Sequence, residues 1–452
     1  MAAAPRTIDV AKLIEGRKLG PFTYKLIIIS WLITAFDGFD QMMISFTAPY
    51  IRDQMHLTTP QIGWMVSAGI LGMMIGGFIF SAIADRIGRR PTIVGTAFAF
   101  GVLTMATALA QNLPQFMLLR FFDGLAIGGM LPLAWALNIE FVPRRMRATV
   151  VTVIMMGYSL GTAMAGPLTN LIAPVYGWEG VYIVGGVGTL VAAVLLLLYL
   201  PESARFLVSK GVRADKVAAT LNRIDPALGA TAADRFILGD EVATGNFHVR
   251  RLFEGDLKAI TPFLWGAYIA SSFAVYFISS WSPLVLESLD FPRKTAASVA
   301  ALSSVLGAAG GLCLMRFTDR FGPRAVAVYP AIAVPVLLVM GMGLIPHGWF
   351  LVAQVASAFV ISGGHYGMHS IAGIFYPSAI RASGAGWATS VAKIGSVLGP
   401  LIGGYVLASG LPVIRTYALL AVCPAILCVC VLVVGAVVRA RSGDRMRPLP
   451  AS

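Results

Sequence analysis

The chain has 452 residues, 57% of them hydrophobic and only 12% charged, with a mean hydropathy of +0.79. So few charges cannot cover a water-exposed surface, which excludes an ordinary soluble protein and marks a membrane protein. The formal net charge of +13 would suit a nucleic-acid partner, but the positions of the bases exclude one: except for Arg52, Arg120, Arg293, Lys294, Lys393 and Arg415, every Lys and Arg falls in the amino-terminal arm, every second loop, the central loop or the tail. By the positive-inside rule that alternation places both termini in the cytoplasm.

A polar arm precedes the first apolar span, so no cleavable leader is expected. Twelve spans follow, each long enough to cross roughly 30 Å of hydrocarbon. They are expected at 24–50, 61–84, 91–111, 114–142, 148–173 and 179–200, then at 260–288, 293–317, 325–345, 347–376, 382–408 and 411–437. The fold class is therefore an all-α polytopic membrane protein. Its expected organisation is a six-helix bundle over 1–200, a cytoplasmic linker over 201–259, and a second six-helix bundle with a tail over 260–452.

The first span contains "ITAFDGFDQMM" at 33–43, which sets Asp37 and Asp40 three residues apart on one helix face. Even on mild insertion scales an Asp at the helix centre costs about 2.5–3.5 kcal/mol, so two on one helix need a function or strong pairing. Carrying a proton is the natural function. Ion pairing with Arg120 or Lys393 is the alternative.

"GGFIFSAIADRIGRRP" at 76–91 aligns with "GGLCLMRFTDRFGPRA" at 310–325, matching Asp85 with Asp319 and Arg90 with Arg324. In the same register Gly129 meets Gly363, Pro143 meets Pro377, Arg147 meets Arg381 and Gly161 meets Gly395. One register held across helices and loops indicates two parallel structural repeats. Parallel repeats about an axis along the membrane normal imply a central site between the halves. At the cytoplasmic ends Asp85, Arg86, Arg89, Arg90, Glu140 and Arg147, with Asp319, Arg324 and Arg381 of the second half, form a candidate gate. Charge pairs there lock one state and break in the other; plain topogenic charge is the alternative.

In span four Arg120 begins an RxxxGxxxG arrangement with Gly124 and Gly128, and Asp123 lies close enough to neutralise it locally. Span five supplies Tyr158, and span seven an aromatic run that includes Tyr276. The central loop carries "ARFLVSKGVRADKVAATLNRID", whose basic amphipathic pieces are expected along the cytoplasmic membrane face in a solvated linker. Span ten reads "GGHYGMHSIAGIFYP", which puts His365 and His369 four apart on one face beside Tyr366. No third metal ligand accompanies that pair, and hydrogen bonding to hydroxyl or methoxy groups on a substrate ring suits it better; satisfied core histidines are the alternative. Span eleven places Lys393 near the midplane, with Gly395 and Gly399 making room beside it and Trp387 a turn and a half before. Cys313, Cys423, Cys428 and Cys430 all lie in spans and read as apolar packing residues.

"ADRIGRR", with its echo "TDRFGPR", resembles the cytoplasmic loop signature of the major facilitator superfamily, and the resemblance covers essentially the whole chain. "DGFD" further resembles the aromatic acid:proton symporters, which carry 4-hydroxybenzoate, protocatechuate, benzoate and related carboxylates into bacteria. "RFFDGLAIGGMLP", "EFVPRRMR" and "YPSAIRASGAGWATSVAKIGSVLGP" extend that likeness into both halves. It implies a proton-coupled symporter of the bacterial inner membrane, importing an aromatic acid by alternating access. Asp37, Asp40 and Arg120 would then couple protons. Lys393 would stand where the family usually has an Arg implicated in holding the substrate carboxylate, and His365 and His369 where it more often has Gln and Asn. Tyr158, Tyr276, Tyr366 and Trp387 would complete the substrate site. "PESARFL" at 201–207 is also similar to sugar-porter signatures, so a sugar or other organic-ion carrier is the rival reading. No P-loop and no HExxH occurs. No enzyme activity, cofactor or metal is expected; the expected partners are the aromatic acid, protons and the lipid bilayer, with the chain a monomer.

Overall fold

The computed structural model describes residues 6–17, 19–211, 214–239, 249–255, 257–321, 326–376 and 381–442. The chain starts with a short strand β1 (Thr7–Asp9) and helix α1 (Val10–Glu15). The first half continues with α2 (Pro21–Met55), α3 (Thr59–Ile87), α4 (Arg89–Thr107), α5 (Leu113–Glu140) and α6 (Arg144–Tyr199). Sequence signals set these boundaries. Pro21 opens α2, Thr58 and Gln61 form a capping box before α3, and the Asn112 side chain caps α5 by accepting from the Gln115 N–H at 3.0 Å. Although α6 runs 56 residues, it breaks at Gly177 (φ 69°, ψ 179°) and so crosses twice.

The central segment holds α7 (Ala204–Ser209), α8 (Ala214–Ile224), β2 (Arg235–Ile237) and a 3-10 turn over Val249–Phe253. The second half comprises α9 (Leu257–Ser288), α10 (Arg293–Phe321), α11 (Val328–Gly341), α12 (His347–Phe375), α13 (Arg381–Ala408), α14 (Arg415–Leu420) and α15 (Val422–Ser442). With α6 counted as two segments and α14–α15 as one, the described residues hold twelve long helical segments, consistent with the twelve expected spans.

The repeat read from the sequence reappears as packing. Helix α2 pairs with α6 and α3 with α5 in the first half, and α9 pairs with α13 and α10 with α12 in the second; α3–α13 and α6–α10 then join the halves. Without a hydrophobic force between helices in lipid, small residues must bring backbones together. Gly161 of α6 lies against the Ala35 carbonyl of α2, and its repeat counterpart Gly395 of α13 lies against the Ile269 carbonyl of α9. Large apolar side chains such as Ile28, Phe78, Leu118 and Leu171 stay exposed on the outer surface, as a bilayer solvent requires.

Among the described residues the central segment packs on the amino-terminal arm. β1 pairs in parallel with β2, and Val10 and Ile14 of the arm bury against Ala204, Leu207, Val217 and Leu221. Arg6–Asp234 (3.3 Å) and Arg17–Asp225 (2.8 Å) ion pairs flank that small core. The buried faces of α7 and α8 are turned to the arm.

Candidate functional site

Asp37 and Asp40 sit midway along α2, at 1% and 2% exposure. Their surroundings differ. Asp40 meets Arg120 of α5 through two parallel bonds, Nη1–Oδ1 at 2.8 Å and Nη2–Oδ2 at 2.9 Å. The same Nη1 lies 2.6 Å from Oδ2 of Asp123, whose Oδ1 accepts from Thr104 at 3.1 Å. Arg120 is thus held by two carboxylates, one expected from local spacing and one from the first span, while its Nε has no partner among the described residues. Close passage of α5 by α3 makes this possible: Gly124 lies on the Gly69 carbonyl and Gly128 on the Met73 carbonyl. Neither oxygen of Asp37 has a hydrogen-bond partner among the described residues.

A cavity of about 160 Å³ lies between the halves, lined from the first by Asp40, Gln41, Met73, Arg120 and Tyr158 and from the second by Tyr276, His365 and Tyr366. Hydroxyls are dense in its wall, with Ser45, Ser159 and Thr162 on one side and Ser279, Ser304 and Ser362 on the other. Gln41 stands at the centre. Its Oε1 accepts from the Tyr158 hydroxyl of α6 and, at 3.5 Å, from the Tyr276 hydroxyl of α9. Nδ1 of His365 is 3.1 Å from the Ser271 hydroxyl.

Lys393 reaches the cavity wall without lining it: Nζ is 3.1 Å from Sδ of Met73, and no carboxylate lies within ion-pair distance among the described residues. Asp37 is the charged group within its electrostatic reach. Trp387 belongs elsewhere. Its ring stacks on Trp265 at 6.3 Å, and Trp265 packs edge-on against Phe253 of the 3-10 turn, so this tryptophan is committed to packing rather than to the cavity. The side chain of His369 lies outside the described residues.

At the arginine-rich face the Arg89 guanidinium pairs with the Glu140 carboxylate, which also accepts from the Ser203 hydroxyl. Oε1 of Glu202 accepts from the backbone N–H groups of Arg89 (3.0 Å) and Arg90 (3.2 Å). Gly88, at φ 109°, turns the chain so that these amides face Glu202; a side chain there would be strained and would meet that carboxylate. Arg90 donates to the Leu197 carbonyl at 2.8 Å and Arg147 to the Val142 carbonyl at 3.2 Å, while Asp85 and Arg86 are exposed. Each of these contacts stays within the first half and the central segment. Arg324 and the side chains of Asp319 and Arg381 lie outside the described residues.

The opposite face joins the halves directly. Ser67 donates to the Val397 carbonyl at 2.8 Å, Trp64 to the Tyr405 hydroxyl at 3.1 Å, and Arg293 lies 3.3 Å from Asp53 and 4.7 Å from the Tyr50 ring centre.

Sequence reasoning missed Gln41, Met73, Glu202 and Ser203. Gln41 stood inside the quoted first-span string, overshadowed by two costlier charges; Glu202 and Ser203 stood inside "PESARFL", where only a family likeness was seen. It also passed over "GYSLG" at 157–161, which has the spacing of a nucleophile elbow. That string lies inside α6, and an elbow needs a strand-to-helix turn. Among the described residues no group of three His, Cys, Asp or Glu is placed to hold a metal.

The family described as Major Facilitator Superfamily matches residues 30–348 and, overlapping, 264–451. A gallate transporter of Pseudomonas putida is 30% identical over 414 residues, covering 91% of this chain and 92% of its own length. The 4-hydroxybenzoate transporter PcaK of Pseudomonas aeruginosa is 30% identical over 408 residues, covering 90% and 91%. Among solved structures, a bacterial homologue of the human lysosomal transporter Spinster, inward-facing and unoccupied, superposes with a TM-score of 0.71 at 16% identity, covering 95% of this chain and all of that one.

Proposed function

The chain belongs to the major facilitator superfamily, a family of membrane transporters and not of enzymes, and from that premise we propose that it imports an aromatic carboxylate together with protons by alternating access. The cargo is a benzoate-type acid bearing hydroxyl or methoxy groups. One observation carries this reading. Of the two cations at the centre, Arg120 is held by Asp40 and Asp123, whereas Lys393 faces a thioether at the cavity wall and is free to take an incoming carboxylate.

The cavity volume supports a single ring, since one of roughly 150 Å³ takes a benzene molecule. Its hydroxyls, with Tyr158, Tyr276, Tyr366 and His365, offer donors and acceptors to ring substituents. The relatives named for gallate and 4-hydroxybenzoate favour such a cargo. Asp37 takes the proton that travels with the anion, because it alone of the three central acids lacks a guanidinium. Asp40, Arg120 and Asp123 form a fixed frame around that event.

The halves touch at the face opposite the arm, which favours an inward-facing state with the Arg89–Glu140 pair and Glu202 bracing the first half at the cytoplasmic side. Opening outward requires the Ser67, Trp64 and Arg293 contacts to break and the basic loops of the two halves to approach. The protein works as a monomer in the bacterial inner membrane, multi-pass, with both termini in the cytoplasm, built of two bundles (1–200 and 260–452) and a central segment (201–259). Uptake into proteoliposomes of labelled hydroxybenzoates, gallate, benzoate and sugars, with and without an inwardly directed proton gradient, tests the proposal. Gradient-driven accumulation of acids alone is expected. Accumulation of a sugar, or acid uptake indifferent to the gradient, refutes it.

A further inference from the structure

Two strong donors at the centre converge on one weak acceptor. Nε2 of Gln41 lies 3.4 Å and Nζ of Lys393 3.1 Å from Sδ of Met73. A thioether is a poor hydrogen-bond acceptor, so in this partly buried site neither an amide nor an ammonium is well satisfied by it. The orientation of the Gln41 amide follows from its other end. The two tyrosine hydroxyls meet at Oε1, and that assignment leaves Nε2 for the sulfur. Four different helices meet here, with Gln41 from α2, Met73 from α3, Tyr276 from α9 and Lys393 from α13.

We propose that the Met73 sulfur stands in the position of the substrate carboxylate. On loading, the carboxylate displaces the thioether and takes one hydrogen bond from Gln41 Nε2 and one from Lys393 Nζ. The unbranched Met73 side chain has the rotatable bonds to swing aside. Gln41 is then a substrate-binding residue, and Tyr158 and Tyr276 are positioning residues that hold its amide the right way round. When the acid leaves, Met73 returns to its place against the two donors. This inference rests on the reading that the substrate is an aromatic carboxylate and assigns the atoms that hold it.

Equilibrium binding of labelled 4-hydroxybenzoate and of gallate to the purified full chain, with the methyl ester of 4-hydroxybenzoate as the uncharged comparison, tests the placement. Gln41→Leu is expected to weaken both acids by about tenfold or more, the loss of one charge-assisted hydrogen bond, and to change ester binding far less. Lys393→Ala is expected to weaken them further, and the double variant to lose less than the product of the two singles, because both donors hold one group. Met73→Leu keeps the volume and removes only the stand-in, so it is expected to bind acid at least as tightly as wild type. Gln41→Glu preserves shape and the acceptor for the tyrosines; it is expected to discriminate against the acids even more strongly. Unchanged acid affinity in Gln41→Leu or in Gln41→Glu, a fully multiplicative double variant, or a Met73→Leu loss as large as that of Gln41→Leu overturns the placement alone. A wild-type protein that binds neither acid overturns the substrate reading and the placement with it.

Discussion

Replacing Asp37 by Asn is expected to leave the protein folded and to stop it from concentrating its substrate. Asp37 is 1% exposed and neither of its oxygens has a partner among the described residues, so the isosteric amide removes no contact. A stability change within about 1 kcal/mol follows, in the range of substitutions that break none of the usual destabilising features. Transport should respond very differently. The centre holds three acids, Asp37, Asp40 and Asp123, against two bases, Arg120 and Lys393. An arriving carboxylate adds one negative charge, and a proton on Asp37 restores the balance. One proton per monoanion moves no net charge, so each pH unit across the membrane supports about tenfold accumulation, or about 1.4 kcal/mol, and the membrane potential adds nothing. In proteoliposomes whose lumen is one pH unit more alkaline than the bath, wild type should reach about that ratio. Asp37→Asn should stop at equal concentrations while still exchanging labelled for unlabelled acid. A correctly inserted variant that accumulates like wild type removes Asp37 from coupling, and wild-type accumulation that grows with an interior-negative potential refutes the one-proton balance.

Arg120→Leu leaves Asp40 and Asp123 facing each other without their shared cation and is expected to cost about 3–5 kcal/mol, whereas Asp40→Asn keeps the Asp123–Arg120 pair and should fold; thermal melts in detergent separate the two. His365→Gln and His369→Asn, made singly, should change the order of preference among hydroxylated, methoxylated and unsubstituted benzoates more than the maximal rate, and uniform slowing of every acid would make them structural or coupling residues. Where the arm meets the central segment, backbone N–H groups of Thr231 and Arg6 and the Arg6 guanidinium hold Asp234 down at about 2. Its stabilising effect is therefore complete above the usual carboxylate range near 4 and lost as pH falls through about 2. Pepsin cleavage of the arm, normalised at each pH to cleavage of an unfolded reference peptide, should rise across that window in wild type, and Asp234→Asn should lack the step.

The twelve crossings were legible because the bilayer demands long apolar runs whatever else a protein does. The repeat was legible because Asp85 and Asp319 kept one register. The two aspartates of the first span stood out through their cost in lipid, but their division of labour did not: which of them meets the fork of Arg120 depends on how α2 and α5 rotate against each other. Lys393 was visible as a buried cation, yet its resting contact is with sulfur, and no rule of spacing points a lysine at Met73. Gln41 carries no charge and interrupts no pattern. Strands β1 and β2 are three residues each and lie far apart in the chain, so neither shows the alternation by which strands are recognised.

The pairing of Thr7–Asp9 with Arg235–Ile237 has a consequence for how the chain is made. The first strand is made before α2–α6, and its partner follows only after those helices have been synthesised. At about 5–20 residues per second, the arm waits roughly ten to fifty seconds, with Val10 and Ile14 uncovered, before the clasp can close. Closure thus follows synthesis of the first bundle, and a chain truncated before Ala204 would lack both the strand partner and the apolar cover of the arm helix, leaving an unpaired strand and an apolar face exposed.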